Sequence, residues 1–266
     1  HMYKIQCIFT FVAKINIKKI HRSVFPAAPP SNNDFRPRVV GGTDAQVDKF
    51  PYMVSLRLSQ GNNHTCGGSI LNSRTIVTAA HCFYGLTPND VSVVVGSIYL
   101  NSGGTEHQIS KIIIHPDHNN HTEANDIALV ITSKAITSSS SVGFISLPSS
   151  TTGAGVKLTM TGWGLTSWPG KNPNTLQKIT LSTISVEDCK KNKLPSTSKL
   201  TIFDTNICTL TKAGEGICRT DSGSPLADGN VLVGIASWAV LCAKGYPDVF
   251  TRVSSYVAWI NNNIQS

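Results

Sequence analysis

The sequence predicts an all-β fold of the sandwich or barrel type with a C-terminal α-helix. Short β-branched or alternating apolar runs follow one another from Val39 onward. Clusters of Gly, Asn, Pro and Ser separate these runs at close intervals, the pattern of strands joined by tight turns. At the chain end Val253, Val257, Ile260 and Ile264 recur at helical spacing beside Tyr256.

The expected strands are Val54–Leu58, Ser69–Val77, Val91–Val95, Ile109–Ile114, Val156–Thr161, Leu176–Ser182 and Val231–Ser237. A second, short helix is expected from Ser185 to Lys191. Ser185 can accept from the amide three residues on, and Asp188 favours the positive end of the helix. The Ser138–Ser141 tract is the expected hinge if the chain folds as two units. Residues 14–38 are basic and then Pro-rich, with no period, and read as a flexible leader.

Composition narrows the function. The 266 residues are 40% hydrophobic and 14% charged, with 21 Gly and 13 Pro, a globular balance rich in turn formers. No apolar run is long enough for a membrane span. The net charge of +8 would suit a nucleic-acid partner only if it were spread over a folded face. It is not. Residues 1–38 carry seven Lys or Arg against Asp34 alone, which leaves the rest of the chain near neutral. Nucleic acid is therefore set aside.

Of the seven cysteines, Cys7 sits in a short apolar run, Ile5–Ala13, behind Lys4, which reads as a partial signal segment. Its removal leaves Cys66, Cys82, Cys189, Cys208, Cys218 and Cys242, enough for three disulfides in an oxidising compartment. No pair shows zinc spacing, so neither a metal nor another cofactor is expected.

Three local motifs carry chemistry, in chain order Thr78-Ala-Ala-His81-Cys82, Asn125-Asp126-Ile-Ala-Leu129 and Cys218-Arg-Thr-Asp221-Ser222-Gly-Ser-Pro225. Peptide hydrolysis by a serine needs a base for the hydroxyl proton, an acid to orient that base, and donors for the oxyanion. Singly, His81 reads as a core histidine, Asp126 as a cap and Ser222 as turn chemistry. Their joint occurrence points to hydrolysis.

With Val39-Val-Gly-Gly42, Cys66-Gly-Gly-Ser69, Thr161-Gly-Trp-Gly164, Ser237-Trp238 and Pro247-Asp-Val-Phe-Thr-Arg-Val253 added, the chain from Val39 to its end resembles the chymotrypsin-like serine proteases. Asn206–Gly216 and Gly245–Phe250 look most like insect digestive chymotrypsins. The resemblance implies two packed six-stranded antiparallel Greek-key β-barrels, with a leader at 1–38 and a protease domain at 39–266. It implies Ser222 as nucleophile, His81 as general base and then acid, and Asp126 as the group that holds the imidazole, backed by Ser237. The amides of Thr220 and Ser222 would form the oxyanion hole. The disulfides would pair Cys66–Cys82, Cys189–Cys208 and Cys218–Cys242.

The resemblance also explains the leader. Cleavage between Arg38 and Val39 by a trypsin-like activating protease would free an α-amine to pair with Asp221, so the chain reads as a secreted zymogen. Polypeptide substrates, protein protease inhibitors and a monomeric state follow. Asn63-His-Thr and Asn120-His-Thr are N-glycosylation sequons.

Two departures from the family pattern stand out. Thr220 and Ser224 replace glycines of Gly-Asp-Ser-Gly-Gly-Pro. Ser224 should be mild. At position 220 family members place a glycine, commonly in a conformation that a β-branched residue resists. A flipped peptide would lose one oxyanion donor, worth about 10²–10³ in turnover. If the backbone holds, the side chain projects towards the leaving-group subsites, and this second outcome is favoured.

The expected specificity pocket is Gly216, Ile217, Trp238, Ala239 and Asp248. Gly216 stands where trypsin-like members carry an acid, which argues against strict Lys/Arg cleavage. Ile217 and Ala239 favour Leu, Met, Phe or Tyr. A cavity-facing Asp248 would admit some basic side chains, so the expected profile is chymotrypsin-like or broad.

In the calcium loop of some relatives, Ser97–Glu106 here keeps only one of the two glutamates. The rival reading, a catalytically weak homologue that acts by binding, is opposed by the intact triad, Asp221 and activation site. An α/β-hydrolase is excluded because Thr220–Ser224 lacks the glycines of the nucleophile elbow and His81 precedes the serine.

Overall fold

The computed structural model describes residues 39–167, 169–192, 200–240 and 242–265. Cys7, Arg38 and the leader lie outside the described residues.

The strands in chain order are β1 (Thr43–Asp44), β2 (Met53–Leu58), β3 (Asn63–Ile70), β4 (Thr75–Thr78), β5 (Val91–Val95), β6 (Thr105–Ile114), β7 (Ala128–Thr132), β8 (Lys157–Gly162), β9 (Gln177–Ile184), β10 (Asn206–Thr209), β11 (Pro225–Asp228), β12 (Val231–Ala239) and β13 (Asp248–Arg252). Two helices accompany them, α1 (Val186–Lys191) and α2 (Val257–Asn263).

Strands β2 to β7 close a first antiparallel barrel in the order β2-β3-β4-β7-β6-β5. Strands β8 to β13 close a second, because β8 pairs with both β9 and β11; β1 adds to its outside along β9. The fold is two six-stranded antiparallel barrels with a short C-terminal helix.

The strands form where the side chains suit a pleated, half-buried surface. Val91–Val95 is valine at every position but one and is buried throughout. β9 alternates, with Gln177, Ile179, Leu181 and Thr183 turned inward. Leu56, Ile70, Ile76 and Leu129 fill the first core, and Leu158, Met160, Leu181 and Phe250 the second.

The expected strand Ser69–Val77 is two strands. Asn72 breaks it, its Oδ1 accepting from the amides of Arg74 (2.9 Å) and Thr75 (2.8 Å), and this turn joins β3 to β4. β6 begins four residues before the expected Ile109, because its polar start pairs by backbone with β5, His107 opposite Val93. At the Ile109/Lys111 bulge β6 changes the register of its pairing with β7.

The expected hinge, Ser138–Ser141, lies in the connection 133–156 between the barrels. That connection touches both, through Ile145 N to Ile70 O and Ser146 N to Asn230 O, each 2.9 Å. α1 starts as expected, with Ser185 Oγ accepting from Asp188 N at 3.0 Å. α2 follows a 3₁₀ turn at Val253–Ser255 and packs Ile260 on the first barrel's core. Thr75 Oγ1 clasps the chain end there, donating to Gln265 O (2.8 Å) and accepting from its amide (3.0 Å).

Candidate active site

His81 lies in the 3₁₀ turn Ala80–Phe83 that follows β4. Asp126 lies just before β7, aimed by Asn125, whose φ of +54° belongs to the left-handed region that Asn tolerates. The two meet twice. Asp126 Oδ1 accepts from the His81 amide at 3.0 Å, and Oδ2 pairs with His81 Nδ1 at 2.8 Å. Both residues belong to the first barrel, but the second barrel supplies further donors. Ser237 on β12 donates to Asp126 Oδ2 at 2.5 Å, and Thr251 on β13 donates to the Asp126 carbonyl at 2.6 Å.

Asp126 is 1% exposed. Its burial alone would raise its pKa, but the His81 charge and the hydrogen bonds from His81 and Ser237 outweigh that and lower it. Burial of His81 opposes its charged form. The Asp126 carboxylate and, more weakly, Glu123 overcome this and raise the imidazole pKa. Glu123 belongs to a neighbouring cluster, in which Tyr84 donates to its Oε2 at 3.0 Å and stacks on His118.

Ser222 lies in the loop that enters β11, and the amide of Gly67 reaches its carbonyl at 2.7 Å. The next residue must be glycine. Gly223 has φ +78°, and a Cβ there would stand 2.1 Å from Thr78 Oγ1. This close approach sets the Ser222 loop against the segment that leads into His81. Ser222 and Ser237 line one cavity of about 310 Å³, so the serine's cavity borders the residue bonded to Asp126.

Ile217, Trp238 and Ala239 form apolar wall in that cavity, and the Cys218–Cys242 disulfide and Arg219 complete it. Sequence reasoning did not single out Arg219, and its only signal is adjacency to Thr220. Gly216 and Asp248 are not on the lining; they stand one layer back. Asp248 is 4% exposed, and its Oδ2 accepts the Ile217 amide at 3.0 Å. Gly216 leaves room for that carboxylate, since a Cβ there would lie 2.5 Å from Oδ2. Burial pushes the Asp248 pKa well above the usual carboxylate value, so its neutral form is favoured.

Asp221 is fully buried, its carboxylate accepting from Gly164 N at 2.8 Å and Cys218 N at 3.0 Å. Burial pushes its pKa up to about 7. Val39 is also fully buried, in the second barrel's core. Ser224 is fully buried too, and its hydroxyl has no partner among the described residues, a cost of about 1–3 kcal/mol for a packed polar group.

Thr220 holds φ +68°, the left-handed conformation open to glycine and strained for a β-branched residue. Its carbonyl accepts from His64 Nε2 at 3.1 Å. Burial lowers the His64 pKa to about 4, so the ring is neutral, with Nδ1 facing the Ser55 hydroxyl at 2.9 Å. The Thr220 hydroxyl, expected to project towards the leaving-group side, is taken by Asn172 and by the Arg219 carbonyl, each at 2.6 Å. Among the described residues, neither the Thr220 nor the Ser222 amide bonds a protein acceptor, whereas those of Asp221, Gly223 and Ser224 point inward.

Three disulfides close the loops, Cys66–Cys82, Cys189–Cys208 and Cys218–Cys242. Two groups of potential metal ligands lie near the site among the described residues. One is Cys66, His81 and Cys82, whose sulfurs are bonded to each other; in the other, His81, Glu123 and Asp126, the histidine and Asp126 already engage one another. The Ser97 end of the calcium-loop stretch is tied by its own hydroxyl, which donates to Ser102 O at 2.8 Å. Asn63 and Asn120 are both exposed. No helix among the described residues is long and apolar enough to cross a membrane.

Comparison with known proteins agrees with this geometry. The family model described as Trypsin matches residues 39–260. Chymotrypsin-2 of Vespa crabro is 42% identical over 226 residues, covering 85% of this chain and 99% of its own. Trypsin delta of Drosophila erecta is 38% identical over 229 residues, covering 85% of this chain and 88% of its own. Trypsin alpha-4 of Lucilia cuprina is 37% identical over 224 residues, covering 84% and 86%.

Proposed function

We propose, on the premise that the chain belongs to the trypsin family of chymotrypsin-like serine proteases, that it is a secreted digestive endopeptidase made as a zymogen. As a family protease it acts on polypeptides. The observation that carries the finer reading is the His81–Asp126 pair, bonded at 2.8 Å and clamped by Ser237 beside the cavity that Ser222 lines.

The chemistry follows from those positions. Ser222 Oγ attacks the scissile carbonyl carbon while His81 Nε2 takes its proton. Asp126 keeps the proton on Nδ1 and stabilises the imidazolium as it forms. Negative charge gathering on the carbonyl oxygen is met by the amides of Thr220 and Ser222. His81 then protonates the departing amine, leaving an acyl-enzyme. Water, deprotonated by the same imidazole, attacks the ester and releases the acid. A trypsin-like protease cutting after Arg38 would start this activity, and protein protease inhibitors would block it. The enzyme acts as a monomer.

Active-site titration of the protein cleaved after Arg38 tests the reading. Stoichiometric acylation is expected, and its loss in Ser222→Ala. A cleaved protein that folds but never acylates would instead be a homologue that acts by binding.

The wall predicts the cleavage preference. Ile217, Trp238 and Ala239 desolvate an apolar side chain, and the buried Asp248 carboxyl lies behind Ile217 and tends to be neutral. A peptide library should therefore show cuts mainly after Leu, Met, Phe and Tyr, with Lys and Arg minor. Asp248→Asn should leave that profile unchanged, because a neutral carboxyl behind Ile217 offers no charge to a basic side chain. Cleavage confined to Lys and Arg would overturn this.

A further inference from the structure

Thr220 presents a physical problem. A β-branched side chain resists the φ of +68° that it holds, and that conformation decides where its amide N–H points. Something must stabilise it against the alternative in which the peptide turns over. The carbonyl side is held by His64 Nε2 at 3.1 Å. That contact reaches only backbone and would serve any residue at position 220. The side chain is held by something else.

We propose that Asn172 is a positioning residue for the oxyanion hole, its side-chain amide gripping the Thr220 hydroxyl and so locking the strained peptide with its N–H turned to the substrate oxygen. The inference rests on the protease reading above.

The hydrogen-bond inventory leaves one arrangement. Asn172 Nδ2 lies 2.6 Å from the Trp163 carbonyl and 2.6 Å from Thr220 Oγ1. A carbonyl can only accept, so the edge of Asn172 facing Trp163 must be its NH₂. The Thr220 hydroxyl gives its single hydrogen to the Arg219 carbonyl at 2.6 Å, so towards Asn172 it must accept. Both N–H bonds of the amide are thereby used, and its orientation is fixed by the network.

The other end of the clamp is rigid. Trp163 is 1% exposed, and its indole N–H is bonded to Ile98 O at 3.1 Å. Turning over the Arg219–Thr220 peptide would carry the Arg219 carbonyl away from the hydroxyl that Asn172 holds in place, and from the Leu165 amide that donates to the same carbonyl at 2.9 Å. The hydroxyl that a glycine lacks is thus the handle by which the left-handed conformation is kept. Asn172 touches neither substrate nor reacting atoms; it acts through Thr220.

A double-mutant cycle in the cleaved enzyme tests this. Asn172→Ala should lower kcat about tenfold to hundredfold, short of the 10²–10³ for losing an oxyanion donor outright, with KM little changed. Affinity for a peptidyl boronate, which places an oxygen in the hole, should fall in parallel with kcat. In the Thr220→Gly background the same Asn172→Ala change should cost nothing further, because no hydroxyl remains to grip. Asn172→Ser carries the same comparison if the alanine variant fails to fold.

An equal loss in both backgrounds, or a loss in KM alone, would overturn the clamp. Wild-type turnover in the same assay separates the two levels. A wild type that never turns over sinks the protease reading, whereas an active wild type indifferent to Asn172 sinks only the clamp.

Discussion

Asp126→Asn is expected to reduce turnover about 10⁴-fold while leaving the fold in place, the size known for this change in serine proteases of this class. The reason can be read from the two oxygens. Oδ1 accepts from the His81 amide and Oδ2 faces His81 Nδ1. An asparagine must place its NH₂ at one of these. Facing the backbone N–H it would set donor against donor in a site where Asp126 is 1% exposed. It will therefore face the ring, donate to Nδ1 and force the proton onto Nε2, where the base must be free. Ser237, whose hydroxyl rotates, accommodates the change without loss of structure. Turnover within tenfold of the wild type would refute Asp126 as the orienting carboxylate.

Cleavage after Arg38 is the second large effect. The Asp221 carboxylate is fully buried and receives two backbone N–H bonds, and burial pushes its pKa up to about 7. A carboxyl with a folded pKa above its unfolded value favours the fold while protonated, below about pH 4. That advantage drains away as pH rises to about 7, a change on the order of 4 kcal/mol. A new α-amine at Val39, pairing with Asp221, would remove this penalty.

The cleaved protein should then melt roughly 10 °C above the uncut one at pH 8 and show no such difference near pH 4. Activity should rise by about two to four powers of ten, because an unpaired buried charge of about 3–5 kcal/mol no longer opposes the ordered oxyanion loop. Equal melting and equal turnover of cut and uncut protein at pH 8 would dismiss Asp221 as the switch.

How much of this was legible beforehand varies with the physics involved. Val91–Val95 and the Ser185 cap were readable because each is a local rule, a β-branched run and a side chain bonding its own helix. β10, β13 and the polar start of β6 were not, since backbone pairing with other strands, and not side-chain alternation, holds them in the sheet. The candidate site residues stood out because eight motifs match the family pattern in order, and the disulfide pairing came only with the family resemblance, as six cysteines allow 15 pairings.

The pocket was half legible. The family resemblance pointed to all five pocket positions at once, and only coordinates separate the lining residues Ile217, Trp238 and Ala239 from Gly216 and Asp248 one layer behind. Asn172 was invisible, as a lone Asn in Lys171-Asn-Pro-Asn174 reads as turn chemistry until its amide is seen to reach across 48 residues to Thr220.

The sharing of Asp126 between barrels also bears on when the protein becomes dangerous to its maker. The chain emerges from the ribosome with the first barrel complete at Thr132, carrying His81 and Asp126 but no nucleophile. Ser237 and Thr251, which bond Asp126 from the other side, arrive more than a hundred residues later, Thr251 on the final strand of the described residues. On the protease reading proposed above, a nascent or half-folded molecule lacks a working catalytic set whatever becomes of residues 1–38. On the same reading, the catalytic set is completed only once the second barrel has been made.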